Sequence, residues 1–416
     1  YEMLRSLVGS EMCIRDRIRR QPFQTVKVDI EEMDRKIREH RIRMLKRAGI
    51  VLGILILLWF LLYIYHQVRT YDSHEAKVTE DRQDSAANTY LEFQGNILKY
   101  SNDGAFYTDT SNELIWNQSY EMSDPVVVMS AKYAAIGDEK GTLVYIFDKD
   151  GLCGKIETTK PIVRVKIAEQ GTVALLLEEN GVSYLKLCDK AGKTLAEGEL
   201  HVENSGYPMD IALSKDGKRF AVSMLNISDG TIKSSIAFYN FDSAGEKKID
   251  HVVGTKKYSD IIIPQIEFLG NDKLIAVSDQ KLMLLEVSGK PQEKKSIKYG
   301  SRLRTIFYNG KYIGLILDNE SSSKEEKNDV YCMQIYDNRG ALVKEKTFSR
   351  TYRKAEFLNN NEVCLLNDNE CTIFTLRGVE KYHEAWDKSI YKVLPGRTAS
   401  RYTFILDGET VQAKLK

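Results

Sequence analysis

The chain has 416 residues and a formal net charge of +1, long enough for two or three ordinary domains or for one large repetitive β domain. The near-neutral total excludes the strongly basic signature of a nucleic-acid binder and offers nothing to an acidic substrate. Residues 1–47 are nevertheless rich in Arg and Lys, and the remainder is close to balanced.

Tyr1–Arg17 begins without Met and resembles translated sequencing-adapter read-through, so it is set aside as artefact. Residues 18–47 form a basic segment whose end, Ile30–Arg47, is predicted to be helical. Glu31–Arg35, Glu32–Lys36, Asp34–Arg38 and Glu39–Arg43 are acid-before-base pairs at i,i+4. Ile30, Met33, Ile37 and Met44 fall on heptad-like positions, a weak homodimer seam interrupted by His40 and Arg47; the other reading lays this helix on anionic lipid.

Ala48 to Tyr65 runs eighteen residues without a charge and extends to Val68. At 1.5 Å per residue it spans roughly 27–31 Å, one hydrocarbon thickness. Residues 48–68 are therefore predicted to cross a cell membrane once. The cations from Arg35 to Arg47 outnumber Arg69 and Lys77, which places the N-terminus in the cytoplasm and residues 70–416 outside.

Residues 69–88 read as a polar linker, and 89–416 as an all-β domain built of repeats. A turn recurs at Phe147-Asp148-Lys149-Asp150-Gly151, Cys188-Asp189-Lys190-Ala191-Gly192, Phe241-Asp242-Ser243-Ala244-Gly245 and Tyr336-Asp337-Asn338-Arg339-Gly340. Asp starts such a turn by bonding its own backbone and Gly closes it. Looser versions stand at Ser111-Asn112, Ser288-Gly289 and Arg377-Gly378. Counted from Gly151 to Gly378, successive glycines are 41, 53, 44, 51 and 38 residues apart. A period near 40–45 residues, with four short strands in each, predicts a β-propeller. Seven repeats followed by three leftover strands favour eight blades, the last one incomplete or closed by N-terminal residues; seven blades is the alternative.

Ile115-Trp116-Asn117-Gln118-Ser119-Tyr120-Glu121-Met122, with Asp124-Pro125 after it, resembles quinoprotein-like propellers. Together with the single anchor, the chain from about Lys46 to Lys416 resembles an uncharacterised Firmicutes family of membrane-tethered propellers, a domain of unknown function. The resemblance implies a fold and an envelope location and supplies no catalytic residues. Quinoprotein enzymes repeat a Gly-Lys-x-x-Trp turn in most blades; here only Trp116 and Trp386 stand in comparable places, which argues against a quinone cofactor.

No nucleophile-elbow, dinucleotide, phosphate-loop or zinc-protease motif occurs. Ser278–Lys281 and Ser321–Lys324 match Ser-x-x-Lys by chance, in turns rather than helices. His201, His251 and His383 are isolated, and the cysteines lack metal spacing. Cys364 and Cys371 flank a tight turn, diagonal to each other and too far apart for an easy bridge, so they read as small buried hydrophobes. No catalytic residue, cofactor or metal is assigned. The expected role is a binding, scaffolding or sensing module for an envelope protein or an anionic wall polymer. The alternative is an extracytoplasmic hydrolase or oxidoreductase with dispersed residues.

Two features point to one face. The longest repeats owe their length to insertions at Asn226–Lys233, which includes Asp229, and at Asp318–Asp329, which includes Ser321 and Lys324. Both fall between the second and third strands of a blade. In addition, the first polar position of successive inner strands holds Arg164, Asp210, Gln265, Arg304, Lys354 and Lys392. Four cations against one acid at a channel mouth imply an anionic ligand, unless Glu267 and Glu356 pair with them.

Overall fold

The structure is a computed structural model, and it describes residues 30–82, 88–200, 206–228, 230–243, 245–246, 248–319 and 330–416. The chain divides into two units, at Ile64/Tyr65.

One continuous helix, Ile30–Val68, makes up the described part of the first unit and the first four residues of the second. Its stretch Arg35–Tyr65 is long and apolar enough to cross a membrane. The large side chains there are exposed on every side, Leu52, Trp59 and Leu62 among them. A helix apolar all round needs an apolar surrounding rather than one buried stripe.

The second unit is all-β, with eight four-stranded antiparallel sheets arranged as the blades of a propeller. Blade 1 starts at Thr89–Phe93, and blades 2 to 8 start at Pro125–Met129, Ile162–Ile167, Tyr207–Leu213, Gln265–Phe268, Leu303–Tyr308, Lys354–Phe357 and Ile390–Pro395. These are the inner strands; in blades 1 to 7 the chain then meanders outward through three more, and in blade 8 through two.

The hydrophobic core lies between blades. Phe238 and Ala221 of blade 4 pack with Phe268, Leu274 and Met283 of blade 5. Tyr402, Phe404 and Val411 of blade 8 pack with Cys364 and Ile373 of blade 7. A middle strand thus has a neighbouring blade on each face, which is why Val173-Ala174-Leu175-Leu176-Leu177 is buried without alternation. In blade 6 the Phe307 ring lies over Gly314, its cross-strand partner. A Cβ on Gly314 would stand 2.2 Å from the ring, so only glycine fits.

The repeated turns join third strands to fourth strands as their chemistry requires. Asp189 Oδ1 accepts the N–H groups of Ala191 and Lys193, and Asp337 Oδ1 those of Arg339 and Ala341. Gly192 and Gly340 take φ of +89° and +79°. Cys364 pairs with Ile373 and Cys371 with Leu366, leaving the two sulfurs diagonal, 3.9 Å apart and buried.

Eight blades are formed, and the eighth is closed from the N-terminal side. Its strands Ile390–Pro395, Arg401–Leu406 and Glu409–Leu415 are completed by His74–Asp81, which pairs antiparallel with Glu409–Leu415. Residues 69–88, expected to be a linker, therefore contain a working strand. Tyr71 is also drawn in, buried, with its N–H donating to the Lys381 carbonyl at 2.8 Å. The strand was hidden because outer strands face water and carry no apolar signature: His74–Asp81 is mostly polar and largely exposed.

Candidate binding face at the channel mouth

The blade-4 hairpin consists of Arg219–Ser228 and Thr231–Asn240, ten residues each, paired over their whole length. The corresponding strands of the other blades have four to seven residues. The additional length forms an extended ribbon, with Asn226 opposite Lys233 and Ile227 opposite Ile232. Near the tip Ile227 is 70% exposed, an unusual place for a large aliphatic side chain. Tyr207, which faces Leu225 across the sheet, is 45% exposed and donates its hydroxyl to Glu178 at 2.8 Å.

In blade 6 the second and third strands meet at Asn319 and Val330 on the same side. Asn319 N–H bonds the Val330 carbonyl at the loop's base, and Val330 is 49% exposed. Asp318 at that base holds Arg304, the first polar residue of the inner strand, at 2.6 Å. The channel mouth, the blade-4 ribbon and the strand ends that flank residues 320–329 thus share one end of the ring. Asp229, Ser321 and Lys324 lie outside the described residues.

The expected surplus of positive charge at this mouth is not there. Arg164 pairs with Glu139 at 3.0 Å, Arg304 with Asp318, Lys354 with Glu356 at 3.2 Å, and Lys392 with both oxygens of Glu356 at 2.7 and 2.8 Å. Asp210 is buried and accepts the Ile266 N–H at 2.9 Å, while Gln265 donates to the Tyr308 hydroxyl at 3.0 Å. The premise of uncompensated repulsion is therefore corrected. Glu139 stands just after the second strand of the preceding blade, Asp318 at the end of the second strand of the same blade, and Glu356 two residues further along an inner strand, where side chains again point into the channel.

Of that deeper layer the sequence offers Glu267 and Glu356 as possible partners, but not Lys166. Lys166 bonds Glu267 at 2.6 Å, and Tyr308 donates to the same carboxylate at 3.3 Å. Burial works against the Lys166 ammonium, but Glu267 and Asp210 outweigh it and raise the pKa. Burial raises the Asp210 pKa, opposed by Lys166. At Glu356 burial also pushes upward, and Lys392 with Lys354 overcomes it, holding the carboxyl below its ordinary value. A cavity of about 570 Å³ at the mouth is lined by Arg164, Lys166, Asp210 and Gln265. Another of about 600 Å³ is lined by Glu92, Glu267, Tyr308 and Asn359. The Lys166–Glu267 pair stands between them.

The remaining motif residues are structural. Ser278 Oγ donates to the Lys281 carbonyl and accepts its N–H, closing a turn, while the Lys281 ammonium lies over the Tyr258 ring. His383 Nδ1 is 2.9 Å from Thr372 Oγ1, His251 packs on Phe241, and His201 lies outside the described residues. Among the described residues no group of three or more His, Cys, Asp or Glu is placed to hold a metal ion.

Residues 67–415 match the model of a family of unknown function, DUF5711. The chain belongs to that family. The DUF5711 match covers the propeller with its closing strand, in accord with the resemblance to a domain of unknown function drawn from the repeats. No curated protein matches the chain in sequence. Among solved structures, the C-terminal WD40 domain of Sif2 is similar with a TM-score of 0.55 and 13% identity, over 84% of this chain and 99% of that one. BamB from Moraxella catarrhalis is similar with a TM-score of 0.46 and 12% identity, over 82% of this chain and 100% of that one. At such identities the likeness concerns the fold alone.

Proposed function

We propose that this DUF5711 chain is a membrane-anchored binding module, held by the helix Arg35–Tyr65, whose propeller docks an envelope protein on the extracytoplasmic side. The docking surface is the end of the ring that carries the blade-4 ribbon. The observation that carries this reading is Ile227, 70% exposed on a ribbon whose two strands are longer, among the described residues, than the corresponding strands of the other blades. Loops on a rigid scaffold are the usual carriers of binding residues, and exposed apolar side chains are what protein partners bury.

The charge-matched mouth supports a protein partner over a small anion, because Arg164, Arg304, Lys354 and Lys392 already have carboxylates. For a hydrolase or oxidoreductase no such observation exists. The test is Ile227→Asp, read by cross-linking and co-purification from native membranes. Partner recovery should fall at least severalfold with an unchanged melting temperature, and undiminished recovery overturns the reading. Protease added to intact cells should remove the propeller; its protection there refutes the assigned side.

A further inference from the structure

The eight outer strands are alike in position and unlike in charge. Those of blades 4, 5 and 6 are Val252–Ser259, Gln292–Lys298 and Leu342–Phe348. They carry Lys256 and Lys257, then Lys294, Lys295 and Lys298, then Lys344 and Lys346: seven cations against two acids, Glu293 and Glu345. The outer strands of the other five blades, Leu114–Ser119, Gly151–Glu157, Thr194–Leu200, Glu380–Ala385 and His74–Asp81, hold three lysines against eight carboxylates.

The lysine-bearing edges of these three blades adjoin one another. A Cβ on Gly254 of blade 4 would lie 2.9 Å from Pro291, just before the outer strand of blade 5. Lys295 lays its stem against Gly340, in the turn leading to the outer strand of blade 6, and Lys344 lays its own against Gly378 of blade 7. Each stem is seated on the next blade and its ammonium is left at the rim.

These charges are also unmatched, unlike those of the channel. Only Lys294 has a carboxylate, Glu286 at 3.2 Å. Glu293 faces Lys281 at 3.9 Å and Glu345 accepts from the Gln334 amide. Among the described residues no carboxylate lies within 4.0 Å of the other six lysines. Lysines on edge strands can serve to block sheet-to-sheet association. That purpose would apply to all eight edges, whereas here the edges of blades 1 and 3 have no lysine and those of blades 2, 7 and 8 have one each.

We infer that the rim of blades 4 to 6 binds a flexible, linear polyanion lacking nucleobases. Shape decides against a bilayer. With eight blades around the axis, adjacent blades turn by about 45°, so blades 4 and 6 face directions about 90° apart. A flat lipid surface touching blade 5 leaves the other two turned away, while a flexible chain follows the curve. Nucleic acid is disfavoured because the rim has no open aromatic platform: Phe348 is buried and Tyr258 lies under Lys281. A small anion lacks a cradle, since the cavity between blades 5 and 6 sets Asp272 and Glu286 beside Lys294 and Arg339.

The test uses the full chain in neutral detergent with long-chain inorganic polyphosphate as the probe. Binding should weaken as salt rises, and the triple variant Lys257→Glu/Lys295→Glu/Lys344→Glu should lose about tenfold or more in affinity. Its log Kd against log[salt] slope should fall by about two, near 0.7 for each of three phosphate contacts. Lys155→Glu on blade 2 should change neither, and all variants should melt as the parent does. No binding at low salt, or a triple variant that binds as the parent does, overturns the inference. Tighter binding to phosphatidylglycerol vesicles or to an oligothymidylate of equal charge overturns it in favour of a lipid surface or a nucleic acid. Ile227→Asp should leave polyphosphate binding intact, so the two surfaces succeed or fail separately.

Discussion

Lys392 and Glu356 stand on the adjacent inner strands of blades 8 and 7, and the ammonium bonds both carboxylate oxygens at 2.7 and 2.8 Å. Lys392 is almost fully buried, so its charge depends on that carboxylate. Glu356→Gln leaves the ammonium uncompensated and should cost about 3 kcal/mol or more, measured by denaturant unfolding. The folded pKa of Glu356 lies below its ordinary 4.5. Its contribution is thus complete above that pH and is lost as pH falls through the depressed folded value. The variant should lack this part of the acid limb of the stability curve. An unaltered acid limb would show that the pair contributes nothing.

Gly314→Ala drives a methyl group into the Phe307 ring within a packed blade interface. A loss of about 1–3 kcal/mol is expected from overpacking of this kind. Adding Phe307→Leu should recover part of it, and a strictly additive double variant would contradict the contact.

Removal of the closing strand can be read with two fragments, residues 70–416 and 83–416. The shorter one uncovers Glu409–Leu415, whose Val411, Ala413 and Leu415 are buried. It should melt lower by on the order of 10 °C and tend to associate through its open edge. Equal melting of the two fragments would mean that closure adds no stability.

Cys364 and Cys371 are fully buried, and the sulfurs at 3.9 Å are well beyond a bond of about 2.05 Å. The contact with Cys371 and burial push the Cys364 thiol far up. Neither cysteine should react with a thiol reagent in the native protein, and both should react after denaturation. Rapid native labelling would show that blade 7 opens.

The repeat was legible because one turn chemistry recurs: Asp189 and Asp337 make the same pairs of backbone bonds, each followed by a glycine of positive φ. The blade-4 insertion was visible as a lengthened interval. The charge balance of the channel was legible in part, since Glu267 and Glu356 stood out as possible partners, but other pairs are remote in sequence: Arg164 and Glu139 are 25 residues apart, Lys166 and Glu267 101. Only the packing of separate blades around the axis brings them together. The sites themselves left one trace, the charged residue two places beyond the first on an inner strand, as in Arg164 and Lys166 or Lys354 and Glu356. The strand His74–Asp81 left none, since its polar side chains match those of any loop.

That strand also sets an order of events during synthesis. Residues 74–81 emerge from the ribosome more than three hundred residues ahead of their partners at 409–415. While blades 1 to 7 assemble one after another, the strand that will lock them stays unpaired, and the growing arc keeps an open edge at each end. The circle is completed only when residues 409–415 arrive. Pausing before they emerge, or their loss, should therefore leave an almost finished ring exposed to proteases and to other arcs like itself.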